Sequence, residues 1–251
     1  MSTTVSTDDF ENRAIAYLSG KLPKAKELRL SEVERIAVGW SHETWLFDLH
    51  YAEEGQAVTL PLCLRRDPGN ALLRELSDLR EQYQVLKCLE STTLPSPKAY
   101  GFEDDPDISG SPFLVMEKII GSCPSPWGSK GREYYAAASE RGVLPASFTE
   151  TLASLHTLDW QSAGLGFLGV PETGEGFARR EISKWKTLIE SSNHPPEPIL
   201  SDLMGYLESN IPATSHRSLV HGAYRTGNLL IHEDKISAVL DWELQVIGDP
   251  L

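Results

Sequence analysis

The sequence predicts an α+β protein of two lobes, the first an antiparallel five-stranded sheet with one helix and the second mainly helical. Three observations carry this. Apolar and polar residues alternate in runs between residues 31 and 66 and again between 98 and 119, the period of strands. Apolar residues recur at three- and four-residue steps from Leu72 to Leu86 and again after Ser147, the period of helices. Between the two regions, residues 121–131 hold Pro124, Pro126 and three glycines, a composition suited to a connection. A boundary near Gly121 then separates residues 1–120 from residues 121–251.

Residues 8–19 open on an acidic pair and place Phe10, Ile15 and Leu18 at helical spacing before Gly20, which predicts a short packing helix. Strands follow at about 33–38, 44–49 and 58–64, as an antiparallel meander. In the third, Val58, Leu60, Leu62 and Leu64 share one face, leaving Cys63 and Arg65 on the other. Leu72, Leu76, Leu79, Tyr83 and Leu86 mark a helix over 71–89, and strands at 98–102 and 113–119 flank the acidic loop 103–112. In the second lobe the pattern predicts helices at 147–158, 176–191 and 199–209, with a Pro-rich break at 193–198. Two short strands, 228–232 and 235–241, close the chain around a turn at 232–234.

Of the 251 residues, 40% are hydrophobic and 24% charged, which places the chain among folded globular proteins rather than disordered or fibrous ones. A formal net charge of −13 argues against nucleic acid as a partner, since such proteins cluster Lys and Arg against phosphates. Cys63, Cys88 and Cys123 are odd in number and far apart, so neither a disulfide framework nor a zinc ribbon is indicated, and a reducing cytoplasm is the expected setting. No run of 18 apolar residues and no basic-then-apolar leader occurs, so no membrane association is expected. H-E-x-x-H, G-x-S-x-G and G-x-G-x-x-G are all absent, which removes support for a zinc hydrolase, a serine hydrolase or a dinucleotide fold.

The chemically informative block is Leu219-Val220-His221-Gly222-Ala223-Tyr224-Arg225-Thr226-Gly227-Asn228-Leu229-Leu230, followed by Val239-Leu240-Asp241-Trp242-Glu243 and Gly248-Asp249-Pro250-Leu251. Upstream lie Val38-Gly39-Trp40-Ser41-His42-Glu43-Thr44, Leu62-Cys63-Leu64-Arg65-Arg66, Arg80-Glu81-Gln82-Tyr83, Pro112-Phe113-Leu114-Val115-Met116-Glu117-Lys118-Ile119, and Leu152-Ala153-Ser154-Leu155-His156-Thr157-Leu158-Asp159-Trp160. In this order the blocks resemble the aminoglycoside phosphotransferase-like family, in the branch similar to the kinase-like domains attached to acyl-CoA dehydrogenases. The resemblance implies a bilobal protein-kinase-like fold, with 1–120 as nucleotide-binding lobe and 121–251 as catalytic lobe. It also implies phosphoryl transfer from ATP or GTP, with Mg²⁺, to a small-molecule hydroxyl.

The family's H-G-D-x-x-x-x-N loop falls on residues 221–228, so Ala223 stands at the position of the catalytic base, and the resemblance assigns Asn228 and Asp241 to the metal. An alanine accepts no proton, and the form present is expected to be inactive or weakened. Alternatives are a nucleotide-binding pseudokinase or scaffold, and a repurposed enzyme using the same cleft. Arg65 takes the place of the kinase strand lysine, and its position opposite the leucines favours it over Arg66. Glu81 is the residue implied to orient Arg65, with Glu75 as competitor. Gly39, Ser41 and His42 correspond to the phosphate loop, while Met116, Glu117 and Ile119 correspond to the adenine edge. Family members continue beyond the point matching Leu251 into helices that build the acceptor pocket. A chain lacking them is expected to be short at its C-terminus and to expose an apolar surface for self-association.

Overall fold

The computed structural model describes residues 7–36, 42–67, 78–105, 108, 110–191 and 197–250. The expected phosphate-loop residues Gly39 and Ser41, and Glu75, lie outside them. The chain forms two compact units, residues 1–151 with 223–244 and residues 152–222 with 245–251.

The first unit is built on a five-stranded antiparallel sheet: β1 (Lys26–Ile36), β2 (Glu43–Glu53), β3 (Gln56–Arg66), β4 (Ala99–Glu103) and β5 (Phe113–Glu117), in the order β1-β2-β3-β5-β4. Alternation fixes which residues face the core. Trp45, Phe47 and Leu49 from β2, Leu62 and Leu64 from β3, and Phe113 and Val115 from β5 are all buried together. Helix α1 (Thr7–Lys21) covers this face with Phe10, Ala14, Tyr17 and Leu18, which recur at helical spacing. The Phe10 ring stacks on Trp45 with centroids 4.2 Å apart. The sheet thus carries α1, at the place of the packing helix expected over residues 8–19, and α2.

Helix α2 (Leu79–Leu89) is capped by Asp78, whose side chain accepts from the Arg80 N–H at 2.8 Å; residues 71–77 of the helix expected over 71–89 lie outside the described residues. Its buried positions are Leu79, Gln82, Val85, Leu86 and Leu89, so a polar residue occupies the inward row. After β5 the chain bridges back through Ser122 to Ile231, enters helix α3 (Ser129–Arg141), and continues into helix α4 (Val143–His156). Helix α3 has no counterpart among the expected elements. It buries only Gly131 and Ala138, too little apolar surface to leave a periodic trace.

The hairpin of β7 (Leu229–His232) and β8 (Lys235–Val239) completes the first unit, turning through Glu233 and Asp234 at φ 49° and 58°. The second unit pairs a three-residue strand β6 (Ser218–Val220) with β9 (Val246–Gly248), both too short to read from alternation. The Arg180 guanidinium donates to the Gly169 and Ile247 carbonyls at 3.0 and 2.9 Å, tying β9 to helix α5 (Gly176–Ser191). Helices α5 and α6 (Pro198–Ser209) bury no residue fully and present Trp185, Ile199, Leu203 and Tyr206 outward. Among the described residues no helix is long and apolar enough to cross a membrane.

Candidate active site

The candidate site lies within the first unit, around Arg65. On β3 the face opposite Leu62 and Leu64 presents Cys63 and Arg65. The register sets Cys63 between Leu46 and Met116, and Arg65 between Thr44 and Leu114. Leu46, Cys63 and Met116 thus form an apolar row beside a guanidinium. Burial pushes the Cys63 thiol up to about 12, so it stays protonated as part of that row. Arg66, on the other face, is paired with Glu43 at 3.3 Å, and Glu43 also holds Arg35 at 2.9 Å. Alternation separated the two arginines as the register does.

Arg65 is held from three directions. Its Nη1 donates to Gln82 Oε1 at 3.2 Å, and its Nη2 donates to Asp241 Oδ1 at 2.8 Å and to His42 Nδ1 at 3.0 Å. A guanidinium only donates, so His42 Nδ1 is the acceptor and Nε2 carries the ring proton. Burial first, then the neighbouring Arg65 charge, lowers the His42 pKa from 6.5 to about 4. His42 is therefore neutral at ordinary pH. Its Nδ1 also lies 3.9 Å from Glu243 Oε2.

The residue of α2 that reaches Arg65 is Gln82, one position beyond Glu81. The apolar row of Leu76, Leu79 and Tyr83 leaves Glu81 outside it, whereas Gln82 is itself one of the inward residues of α2, with Leu79, Val85, Leu86 and Leu89. Glu81 stands beside it, half-buried. A polar residue three positions after the first buried leucine was the signal for Gln82.

Asp241 is placed by its neighbours. After β8 ends at Val239, the Leu240 N–H donates to the Asn228 carbonyl at 2.8 Å, and the buried Trp242 Nε1 donates to the Val239 carbonyl at 3.1 Å. Asp241 between them sits at φ 68°, in the left-handed region that Asp tolerates better than most residues. The same contact brings Asn228 beside it. Asn228 is buried, and its Nδ2 donates to the Ala223 carbonyl at 3.0 Å, across the loop that joins the two. Gly222, just before, adopts φ 79°, which a side chain would strain. The loop is also anchored by Tyr224, whose hydroxyl donates to the Phe148 carbonyl at 2.8 Å.

At the end of β5, the Glu117 N–H donates to the Lys98 carbonyl and the Lys118 N–H to the Pro61 carbonyl. Lys118 also pairs with Asp48 at 2.5 Å. The structure thus brings together Arg65, His42, Asp241, Asn228 and Ala223, with Met116 and Glu117 on the neighbouring strand. These groups combine an apolar row, a fixed cation and two side chains that carry oxygen, an arrangement suited to a nucleoside and its phosphates.

Comparison with known proteins gives the family. The phosphotransferase enzyme family (APH) matches residues 32–251. Acyl-CoA dehydrogenase family member 11 of Rattus norvegicus is 34% identical over 248 residues, covering 96% of this chain and 30% of its own length. Its human counterpart is 32% identical over 191 residues, 75% of this chain and 24% of that protein. The chain thus spans about a third or less of these relatives. Among solved structures, a putative aminoglycoside phosphotransferase from Ralstonia eutropha is 28% identical with a TM-score of 0.66, covering 95% of this chain and 66% of that one. Aminoglycoside phosphotransferase APH(4)-Ia in ternary complex with AMP-PNP and hygromycin B shares the fold at 14% identity and a TM-score of 0.61, over 98% of this chain and 74% of that one. By sequence and by fold, this chain belongs to the phosphotransferase enzyme family.

Proposed function

We propose that the chain binds ATP or GTP and is built to transfer a phosphoryl group to a small-molecule hydroxyl, with transfer weakened or lost because Ala223 replaces the base. The observation that carries this is the convergence of Arg65, Asp241 and Asn228 around the 221–228 loop. In this reading residues 1–120 form the nucleotide lobe and 121–251 the catalytic lobe. Leu46, Cys63 and Met116 border the base, and the Glu117 carbonyl and Ile119 amide read its edge. The family resemblance gives Gly39, Ser41 and His42 the role of phosphate loop, and Arg65 binds the phosphates.

The residues present fit a magnesium ion. Asp241 and Asn228 offer hard oxygen donors, and the Asn228 amide is turned by its Nδ2 contact so that Oδ1 remains for a ligand. Magnesium takes few protein ligands and completes its shell with water and phosphate oxygens. When bound, it would neutralise charge on the phosphates. A cytoplasmic location suits the three free cysteines.

Ala223 favours a second reading, in which the site binds nucleotide without turning it over. The substitution Ala223→Asp separates the two, because a restored carboxylate would orient an acceptor hydroxyl and accept its proton. Nucleotide hydrolysis and phosphorylation of an alcohol and aminoglycoside panel are expected to rise by about 10²- to 10⁴-fold with nucleotide affinity little changed. Unchanged turnover alongside undiminished binding would select the pseudokinase reading.

A further inference from the structure

Among the described residues Arg65 meets three side chains, and only one of them carries charge. His42 is neutral, Gln82 is an amide, and Asp241 supplies a carboxylate oxygen at 2.8 Å. Gln82 is 2% exposed and belongs to the inward row of α2, so its amide is a buried polar group kept there by its bonds. The next acidic group along β2, Glu43, is committed to Arg35 and Arg66 on the opposite face of the sheet.

We propose that Gln82 is the positioning residue of Arg65, and that its neutrality keeps the guanidinium paired with Asp241 until nucleotide and divalent cation part them. The proposal rests on the nucleotide-binding reading for its second half only; the ligand-free half stands on the contacts above. A helix carboxylate at the same place would share the guanidinium charge and loosen Asp241. An amide holds the fork in position through one donor and leaves its full charge to the other side. The Arg65 and Asp241 side chains are 13% and 25% exposed, so their attraction is only partly screened by solvent. Asp241 is therefore occupied by protein in the resting state. Arg65 retains a whole positive charge for phosphate.

The test is a double-mutant cycle on the ligand-free protein, pairing Gln82→Glu with Asp241→Asn and reading the melting temperature. Asp241→Asn is expected to lower it clearly in the wild-type background and by less than half as much in the Q82E background. Equal losses in both backgrounds overturn the proposal, whether or not the protein binds nucleotide. If Q82E does not fold, Gln82→Met replaces it with the opposite expectation. With the amide anchor gone, Asp241→Asn then costs at least as much as in the wild type, and a smaller loss overturns the proposal.

A second readout follows nucleotide affinity with EDTA and across a Mg²⁺ titration. Q82E is expected to weaken metal-free affinity roughly fivefold while lowering the Mg²⁺ needed for half-maximal binding by a similar factor. A merely structural role for Gln82 moves both readouts in the adverse direction, and that result also overturns the proposal. A wild-type protein that binds no nucleotide refutes the functional reading instead, and the cycle still decides the ligand-free pairing.

Discussion

Asp241 and Asn228 differ in what they can give a cation. Both supply an oxygen, but only Asp241 adds charge, and it alone pairs with Arg65. Asp241→Ala is therefore expected to reduce metal-dependent nucleotide binding by more than Asn228→Ala does, in side-by-side calorimetric titrations. Equal losses would contradict the roles assigned. His42 makes a separate prediction about pH. Its folded pKa of about 4 lies below the ordinary 6.5, so between these values the unfolded chain binds more protons than the folded one. The stabilisation from keeping the ring neutral is complete above pH 6.5 and is lost as the pH falls toward 4. Over that interval wild type should lose on the order of 2 kcal/mol that a His42→Gln variant does not. Denaturant unfolding of both proteins across the window checks this, and parallel curves would refute it. In the sequence Arg65 was separable from Arg66 by strand alternation, and Asn228 and Asp241 stood out through the ordered motifs that carry the family resemblance. Gln82 did not stand out, since the resemblance pointed to the glutamate beside it and only the packing of α2 shows that residue 82 is an inward one.

Elements were readable in proportion to the apolar face they bury. The helix expected over 176–191 is α5 as observed, and the β7–β8 hairpin appears around the expected turn. Helix α3 left no pattern, because its contacts are made by small residues at close approach. A Cβ at Gly131 would lie 1.7 Å from the Ser125 carbonyl oxygen, so backbone must move to admit one. Gly131→Ala is therefore expected to cost at least about 1–3 kcal/mol. Gly205, inside α6, meets nothing within 4 Å and has an ordinary helical φ. Gly205→Ala should stabilise by about 0.5–1 kcal/mol through helix propensity. Thermal melts of the two variants shift in opposite directions on this account. A harmless Gly131→Ala would show that the approach to Ser125 is not a constraint.

At the scale of the molecule, the sheet order, the core beneath α1 and the cluster at Arg65 all belong to one compact unit, although the residues that make them are far apart in sequence. Joining residue 65 to residue 241 is a matter of topology. Local pattern does not encode it, and the ordered motifs supplied it through their resemblance to a family. The central claim is that this cluster binds nucleotide with alanine at position 223. Calorimetric titration of ATP and of GTP with Mg²⁺ into the wild-type chain and into Asp241→Ala tests it most directly. Saturable binding of at least one nucleotide is expected, weakened on the order of tenfold or more by the substitution. No binding of either nucleotide at millimolar concentration, or binding that Asp241→Ala leaves unchanged, would contradict it.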